Sequence, residues 1–233
     1  HKTNVLLNAY VYFFSYKKPL KKSGCFSEND KIFFKEETII SLADLKLKGE
    51  NNISNILAAV LAAKILGVPS KIIKKVLREF NGISGRQELI KETRGVKYFN
   101  DTTATMPEAA LSAIKSFRQR FPKSKLILIA GGQDKNLNYK NLAKEILKNV
   151  NYLILLSGTA SDKIKRELVL NSGKILSNIY FAGSMEKAVK KASKLAKRGD
   201  IVLLSPGAAS FNLFKNEFDR GNRFKKAVNS PKL

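Results

Sequence analysis

The chain is short of the residues that most catalytic and metal sites use. Histidine occurs only at His1, which excludes a Ser-His-Asp triad and a histidine-based metal site. Cys25 is the single cysteine, so there is no internal disulfide, and a reducing cytoplasm is the expected location. No stretch matches the pattern G-x-x-x-x-G-K-[ST], so a P-loop is absent. These absences remove the commonest hydrolase, zinc and P-loop chemistries.

Long apolar runs are missing as well. A membrane helix needs about 20 consecutive apolar residues, whereas the best run here, Leu126 to Ala130, has the length of a strand. The chain starts with His1 and shows no charged-then-apolar signal pattern, so we expect neither a membrane partner nor export. Hydrophobic residues still make up 44% of the 233 residues, which is enough for a sizeable core.

The formal net charge of +24 has two interpretations. Basic residues neutralise phosphates, so a nucleic-acid-binding module is one. The other is a solvated surface rich in lysine, because arginine, which nucleic-acid readers favour, is scarce. The densest basic stretch, Lys187 to Arg198, has the spacing of an amphipathic helix with a basic outer face. We therefore favour the second interpretation and expect no nucleic-acid partner, although a basic surface would attract an anionic nucleotide.

The first eighty residues predict strands followed by two helices. Extended segments are expected at Val5–Tyr16, Lys31–Phe34 and Glu37–Ile40, with turns at Gly24 and at Asn29-Asp30. These strands are too few to close a sheet, so we expect their partners to lie outside this chain. Apolar residues then recur at helical spacing, first from Ile53 to Ile65 and again from Ile72 to Phe80, with Ser70 as the predicted cap of the second helix.

After Gly82 apolar strands and amphipathic helices alternate, which predicts an α/β domain with a doubly wound, mainly parallel sheet that begins near residue 84. The predicted strands are Val96–Asn100, Lys125–Ala130, Tyr152–Leu156, Asn178–Phe181 and Ile201–Leu204. The predicted helices are Pro107–Arg120, Tyr139–Asn149, Ser161–Leu170, Ser184–Lys197 and Ala209–Val228.

Ligands of such sheets bind beyond the carboxyl ends of the strands, and the five loops at those ends are rich in glycine and hydroxyl groups. Backbone amides in loops of this kind approach anions closely, so the sequence predicts a site for a small, negatively charged ligand. Lys135 follows a Gly-Gly turn and is either a carboxylate or phosphate partner or a solvated side chain. Asp101 could hold a ribose hydroxyl, but capping of the next turn is the simpler interpretation.

Five segments of the chain, which lie between residues 47 and 224, resemble the D-glutamate-adding Mur ligases of peptidoglycan synthesis. Residues 47–55 are similar to the pattern L-x-G-E-H-N-x-x-N, and residues 82–88 to G-L-x-H-R-x-E. Residues 100–105 are similar to N-D-S-K-A-T, and residues 131–135 to G-G-x-x-K. Residues 204–221 are similar to L-S-P-A-x-A-S followed by F-x-x-F-x-x-R-G.

The resemblance implies a Rossmann-like carboxyl-terminal domain from residue 84 to 233, preceded by the end of an ATP-binding central domain in residues 1 to 83. The family uses ATP and Mg²⁺ to join D-glutamate to UDP-N-acetylmuramoyl-L-alanine through an acyl phosphate, and a complete member is expected to be a cytoplasmic monomer. It implies nucleotide contacts for Asn52, Asn55, Arg86 and Asp101. It implies D-glutamate contacts for Thr105, Lys135, Ser210 and Phe218.

The resemblance has gaps. Asn51 and Gly85 stand where the family has histidine, and Thr103 stands where it commonly has lysine. The phosphate-binding loop, the Mg²⁺ ligands and the carbamylated lysine of the family have no counterpart in this chain, so we expect no metal ligand and no independent activity here. An enzyme of the same superfamily with another acceptor, such as a folylpolyglutamate synthase, is the alternative within this class.

Overall fold

The computed structural model describes residues 10–16, 19–20, 24–47, 49–172 and 177–231. The chain divides into two compact units, residues 1–82 and 83–233. In the part of the chain that the structure describes, no helix combines the length and the apolar character needed to cross a bilayer.

The first unit is a four-stranded sheet packed against two helices. Its strands, β1 (Phe13–Ser15), β2 (Gly24–Glu28), β3 (Lys31–Phe34) and β4 (Glu37–Ser41), lie in chain order, with β1 and β2 parallel and the other pairs antiparallel. Helices α1 (Glu50–Ile65) and α2 (Ser70–Glu79) follow. Their apolar residues and those of β2 to β4 form one core that includes Cys25, Ile32 and Leu57.

Three predictions for this unit are wrong. The strands pair with one another in one sheet, so the expectation that all of their partners lie outside this chain is wrong. Gly24 is not a turn residue but the first residue of β2. Glycine is needed there because a Cβ atom would lie 2.1 Å from the carbonyl oxygen of Phe13 on the adjacent strand. Ser70 does not cap α2 either. Pro69 is the cap residue, and Ser70 Oγ instead accepts a hydrogen bond from Lys64 Nζ at 2.9 Å.

Other predictions for this unit agree with the structure wholly or in part. Residues Asn29 and Asp30 both have positive φ and form the tight turn between β2 and β3. The predicted strand at Val5–Tyr16 lies partly outside the described residues, and β1 covers its last part. On α2 only Ile73 of the predicted stripe is buried, whereas Ile72 and Val76 are more than half exposed.

The second unit is a six-stranded sheet with helices on both faces, as predicted. Its strands are β5 (Glu88–Thr93), β6 (Val96–Asn100), β7 (Leu126–Gly131), β8 (Tyr152–Leu156), β9 (Ile179–Ala182) and β10 (Ile201–Leu204). Their order is β5-β6-β10-β7-β8-β9, and every pair is parallel except β5 with β6. Strands β7, β8 and β10 are buried along nearly their whole length, which explains their continuous apolar sequences.

Helices α3 (Pro107–Arg120), α4 (Lys140–Asn149) and α5 (Thr159–Ser172) share one apolar core with one face of the sheet. Helices α6 (Met185–Leu195) and α7 (Glu217–Val228) share a second core with the other face. The crossover through α6 carries the chain back from the edge strand β9 to β10 at the centre, between β6 and β7. The carboxyl ends of β6, β10, β7 and β8 therefore lie side by side.

Two further predictions differ from the structure. Strand β5 was not expected, because it is a polar edge strand that joins β6 through a turn in which Arg94 and Gly95 both have positive φ. The last helix begins at Glu217 and not at Ala209. Asn216 caps it by accepting a hydrogen bond from the Asp219 amide, while Ala209 pairs with Gln133 in an isolated β-bridge.

Candidate functional site

Four loops at the carboxyl edge of the second unit form a continuous rim. They comprise residues 101–105 after β6, 205–210 after β10, 131–135 from the last residue of β7 onward, and 157–159 from the end of β8 to the first residue of α5. The fifth predicted loop, after β9, lies at the outer end of this edge. The parallel strand order thus brings together the loops that the sequence predicts as a ligand site.

Backbone hydrogen bonds join neighbouring loops of the rim. The Gly207 amide donates to Ala104 O at 2.8 Å, which joins the loops after β10 and β6. Gln133 and Ala209 exchange two backbone hydrogen bonds, of 2.9 and 3.0 Å, which joins the loops after β7 and β10. Three of the four loops, those after β6, β10 and β7, are therefore joined in a row by hydrogen bonds.

Glycine permits this close packing. A Cβ atom at Gly132 would lie 2.3 Å from Ala209 O, and one at Gly158 would lie 2.2 Å from Gly132 O. Both glycines also have positive φ, which side chains other than glycine rarely adopt. The bare backbone at these positions lets the loops after β7, β8 and β10 touch.

Asp101 lies buried at the start of the rim and is 6% exposed. Its Oδ2 accepts a hydrogen bond from Ser205 Oγ at 2.7 Å, and its Oδ1 accepts one from the Gln87 amide at 3.2 Å. Burial raises the pKa of Asp101 to about 6, against the lowering effects of these two donors and of the Arg86 charge. The capping interpretation is wrong, because the Asn100 side chain, not Asp101, accepts the hydrogen bond from the Thr102 amide.

The neighbourhood of Asp101 has one unused acceptor. Gln87 Oε1 is buried and has no hydrogen-bond partner among the described residues. Arg86, beside it in sequence, is exposed. An ionised carboxylate, a free amide oxygen and a guanidinium at one end of the rim suit a ligand that presents hydroxyl donors together with negative charge.

The three polar residues predicted to bind D-glutamate, Thr105, Lys135 and Ser210, lie on three different loops of the rim. The loop that carries Ser210 is hydrogen-bonded to each of the other two. Ser210 is 2% exposed, Thr105 is half-buried and Lys135 is exposed. Lys135 Nζ lies 5.9 Å from the centroid of the Phe211 ring. The predicted Phe218 is 62% exposed on the first turn of α7, so the aromatic ring found beside Lys135 belongs to another residue.

The carboxylate of Asp134 forms its ion pair with another lysine and not with the neighbouring Lys135. Its carboxylate forms an ion pair with Lys163 and accepts hydrogen bonds from the Leu137 amide and the Tyr139 hydroxyl, both at 3.1 Å. Desolvation alone would raise its pKa, but these three donors bring the pKa of Asp134 to about 2. This fixed turn holds the chain after β7 while Lys135 Nζ forms no ion pair within the described residues.

The remaining predicted contacts lie elsewhere. Asn52 and Asn55 are on α1 of the first unit, where Asn52 is half-buried and Asn55 is exposed. Thr103, at the position where lysine was noted as common, donates its hydroxyl to Gly85 O at 2.9 Å and so ties the rim to the segment before β5.

Sequence reasoning missed Arg220, which was quoted only as part of a motif. It lies on α7, is fully buried, and its three guanidinium nitrogens bond to oxygens of Thr102 and Ala208 in two loops of the rim. An arginine within a helix gives no sequence signal of burial, because arginine is among the residues that are usually exposed.

The fold defines a class: a doubly wound α/β domain, in which ligand sites lie at the carboxyl edge of the sheet, where the rim is found here. Residues 85–207, more than half of the chain, match the family model described as "Mur ligase, glutamate ligase domain". The chain therefore belongs to the Mur ligase family.

Curated relatives show the same kinship. The UDP-N-acetylmuramoylalanine–D-glutamate ligase of Roseiflexus sp. is 43% identical over 80% of this chain and 39% of its own length. The ligase of the same name from Clostridium botulinum strain Alaska E43 is 41% identical over 93% of this chain and 46% of its own length. The chain thus spans less than half the length of these relatives.

Solved structures share the fold. The UDP-N-acetylmuramate-alanine ligase of Thermotoga maritima superimposes with a TM-score of 0.64 at 15% identity, covering 92% of this chain and 47% of that one. A folylpolyglutamate synthase from the same organism superimposes with a TM-score of 0.59 at 18% identity, covering 85% of this chain and 43% of that one. At these identities the likeness concerns the fold alone.

Proposed function

We propose that this chain is the acceptor-binding part of an ATP-dependent ligase that adds D-glutamate to UDP-N-acetylmuramoyl-L-alanine. The observation that carries the proposal is the placement of Thr105, Lys135 and Ser210 on three neighbouring loops of the rim, of which the loop after β10 is hydrogen-bonded to both of the others. The names of relatives that are 37–43% identical to this chain support the choice of substrate. A cytoplasmic location and a monomeric state belong to the same proposal.

In the proposed reaction the γ-phosphate of ATP is transferred to the substrate carboxylate. The amine of D-glutamate then attacks the carbonyl carbon of the acyl phosphate, loses a proton, and the C–O bond to phosphate breaks. The task of this chain is to bind and orient the amino acid. The ammonium group of Lys135 would pair with one carboxylate, and the hydroxyls of Thr105 and Ser210 would donate to the carboxylate oxygens.

The other end of the rim suits the nucleotide. Above pH 6 the Asp101 carboxylate is mostly ionised and can accept hydrogen bonds from ribose hydroxyls, and Gln87 Oε1 offers a further acceptor beside it. Arg86 would add positive charge near the phosphates. For the first unit, considered by itself, Asn52 and Asn55, one helical turn apart on α1, are the proposed nucleotide contacts.

Mg²⁺ would neutralise phosphate charge during the transfer. Among the residues that the structure describes, no group of three histidine, cysteine, aspartate or glutamate side chains could hold it. In this proposal, as the family resemblance implies, its main protein ligands belong to the part of the relatives that this chain does not span.

The test is phosphate release by a complete ligase in which this chain is joined to the amino-terminal half of the Clostridium botulinum relative. We expect release that depends on both UDP-N-acetylmuramoyl-L-alanine and D-glutamate. Lys135→Ala should raise the KM for D-glutamate at least about tenfold, because a charge-assisted hydrogen bond contributes about 1.5–3 kcal/mol, while the KM for ATP stays unchanged. Lys140→Ala, an exposed lysine on α4, is the matched control.

Two results would contradict the proposal. An unchanged KM for D-glutamate in Lys135→Ala would remove that lysine from the acceptor site. Turnover with L-glutamate and a folate in place of D-glutamate and the UDP-linked substrate would assign the chain to the folylpolyglutamate synthases.

A further inference from the structure

Arg220 is a buried cation without a carboxylate partner. Its side chain has no exposed surface, and among the described residues it takes part in no ion pair. Burial lowers the pKa of Arg220 to about 10, although the charge of Glu217 acts in the opposite direction. An unpaired buried charge is costly, so a methionine or leucine would fill this space more cheaply if filling space were the only requirement.

The guanidinium of Arg220 bonds to two loops of the rim at once. Nη2 donates to Thr102 O at 2.7 Å and Nε donates to Thr102 Oγ1 at 3.1 Å. Nη1 donates to Ala208 O at 2.9 Å. The planar fork of arginine reaches these oxygens from three separate nitrogens, whereas all three donors of a lysine ammonium radiate from one nitrogen.

The first turns of helix α7, which carries Arg220, are themselves in contact with the loop after β6. Thr102 Oγ1 donates to Glu217 O at 2.7 Å, so the first turn of α7 is bonded to the loop after β6. A Cβ atom at Gly221 would lie 2.7 Å from Thr102 Cγ2, so the helix backbone at that point touches the same residue. The position of Arg220 relative to Thr102 is therefore fixed by neighbours on both sides.

We propose that Arg220 is a positioning residue for the acceptor site, which holds the loops carrying Thr105 and Ser210 in their bonded arrangement before any ligand binds. The inference rests on the proposed function for its consequence, tighter binding of a dicarboxylate amino acid. The positioning itself rests on the geometry alone. The hydrogen bonds of the Arg220 side chain go to Thr102 and Ala208, which lie three and two residues from Thr105 and Ser210, so Arg220 acts through them.

The opposite edge of the same sheet supplies a matched control. Arg118 on α3 also makes three hydrogen bonds through its guanidinium, to Asn149 O at 2.7 Å, Ser124 O at 2.5 Å and Asn151 Oδ1 at 2.6 Å. These partners precede β7 and β8, so they lie at the amino ends of the strands and away from the rim. Arg118→Lys therefore removes a similar set of guanidinium hydrogen bonds at a place remote from the proposed site.

The experiment measures amide hydrogen exchange in the wild-type 233-residue chain and in two separate variants of it, Arg220→Lys and Arg118→Lys. In Arg220→Lys we expect the Gly207 and Ala209 amides, which bond across the rim loops, to exchange at least about tenfold faster than in the wild type. The amides of Leu126 and Asn151, at the other edge, should be unchanged. Arg118→Lys should give the reverse pattern.

D-Glutamate is then titrated into each variant while the amide signals of Ser210 and Lys135 are followed by NMR. We expect the dissociation constant to rise at least about tenfold in Arg220→Lys and to stay within twofold of the wild type in Arg118→Lys. Unchanged exchange at Gly207 and Ala209 overturns the positioning role, and unchanged affinity overturns its consequence for the acceptor. A wild type whose signals do not respond to D-glutamate counts against the proposed function instead.

Thr102→Val keeps the test decisive if Arg220→Lys does not fold. It removes the hydroxyl that links Arg220 Nε to Glu217 O but leaves both carbonyl partners in place. We expect faster exchange at the same two rim amides, by about threefold to tenfold. Exchange equal to that of the wild type would overturn the proposal by itself.

Discussion

Asp101 should make the second unit less stable as the pH rises from about 4 to about 6. Its carboxyl group is 6% exposed, and burial raises its pKa from 3.8 to about 6. A folded state that holds a proton more tightly than the unfolded state is favoured at low pH. The stability from this group is therefore fully present below pH 3.8 and is lost as the pH passes through 6.

The size of the effect follows from the shift. Each unit of pKa difference corresponds to 1.36 kcal/mol, so a shift of about 2 units amounts to about 3 kcal/mol between the two limits. Asp101→Asn removes the titration but keeps a side chain of the same shape. Its amide can donate to Ser205 Oγ, which accepts once the hydroxyl rotates. The free energy of unfolding of the wild type relative to the variant should thus fall by about 2 kcal/mol between pH 4 and pH 7, since part of the full difference lies below pH 4.

Urea unfolding at several pH values measures this difference, with NMR signals from β7 and β10 as reporters of the second unit. Asp134→Asn is the control of opposite sign. Hydrogen bonds from Lys163 and its neighbours bring the pKa of Asp134 to about 2 against its desolvation, so its contribution is present above pH 3.8 and is lost as the pH falls towards 2. A difference between wild type and Asp101→Asn that is flat from pH 4 to pH 7 would refute the raised pKa.

Two further predictions concern close packing at a rim glycine and the burial of the single cysteine. Gly158→Ala should lower the free energy of unfolding by about 2–3 kcal/mol, because φ is +150° and the new methyl group would meet Gly132 O; Gly199→Ala, with φ of +91° and open space, should lose only about 1 kcal/mol in the same urea titrations. The buried thiol of Cys25, whose pKa burial raises to about 12, should not react with a thiol reagent at pH 8 until the chain is unfolded; fast labelling of the native chain would contradict its burial.

The regular part of the fold could be predicted because its cause lies in each segment. Strands such as β7 and β10 are covered on both faces, so every position must be apolar, and the run of apolar residues is visible in the sequence. Helix α3 has the predicted bounds, Pro107 to Arg120, because proline begins the helix and the polar residues after Phe117 end its buried face. The rim followed from these strands and the rule for parallel sheets.

The errors concern residues whose structure depends on distant partners. Ala208, Ala209 and Ser210 suit a helix by local propensity, but Ala209 pairs with Gln133, more than seventy residues away, and so stays extended. Gly24 resembles a turn residue until the approach of the Phe13 carbonyl is known. No local pattern carries such information, because the contact that decides the conformation belongs to another part of the chain.

The arrangement of charge along the rim explains how one edge could accept two different ligands. Asp101 follows β6 and Lys135 follows β7, and β10 lies between these strands, so their loops start about 10 Å apart at the usual strand spacing. The carboxylate end favours hydroxyl donors, and the ammonium end favours carboxylates. Residues 205–210 cross the space between them, with their carbonyls bonded to Gln133 and Arg220. A nucleotide at one end and an amino acid at the other would therefore meet over the loop that the buried guanidinium holds in place.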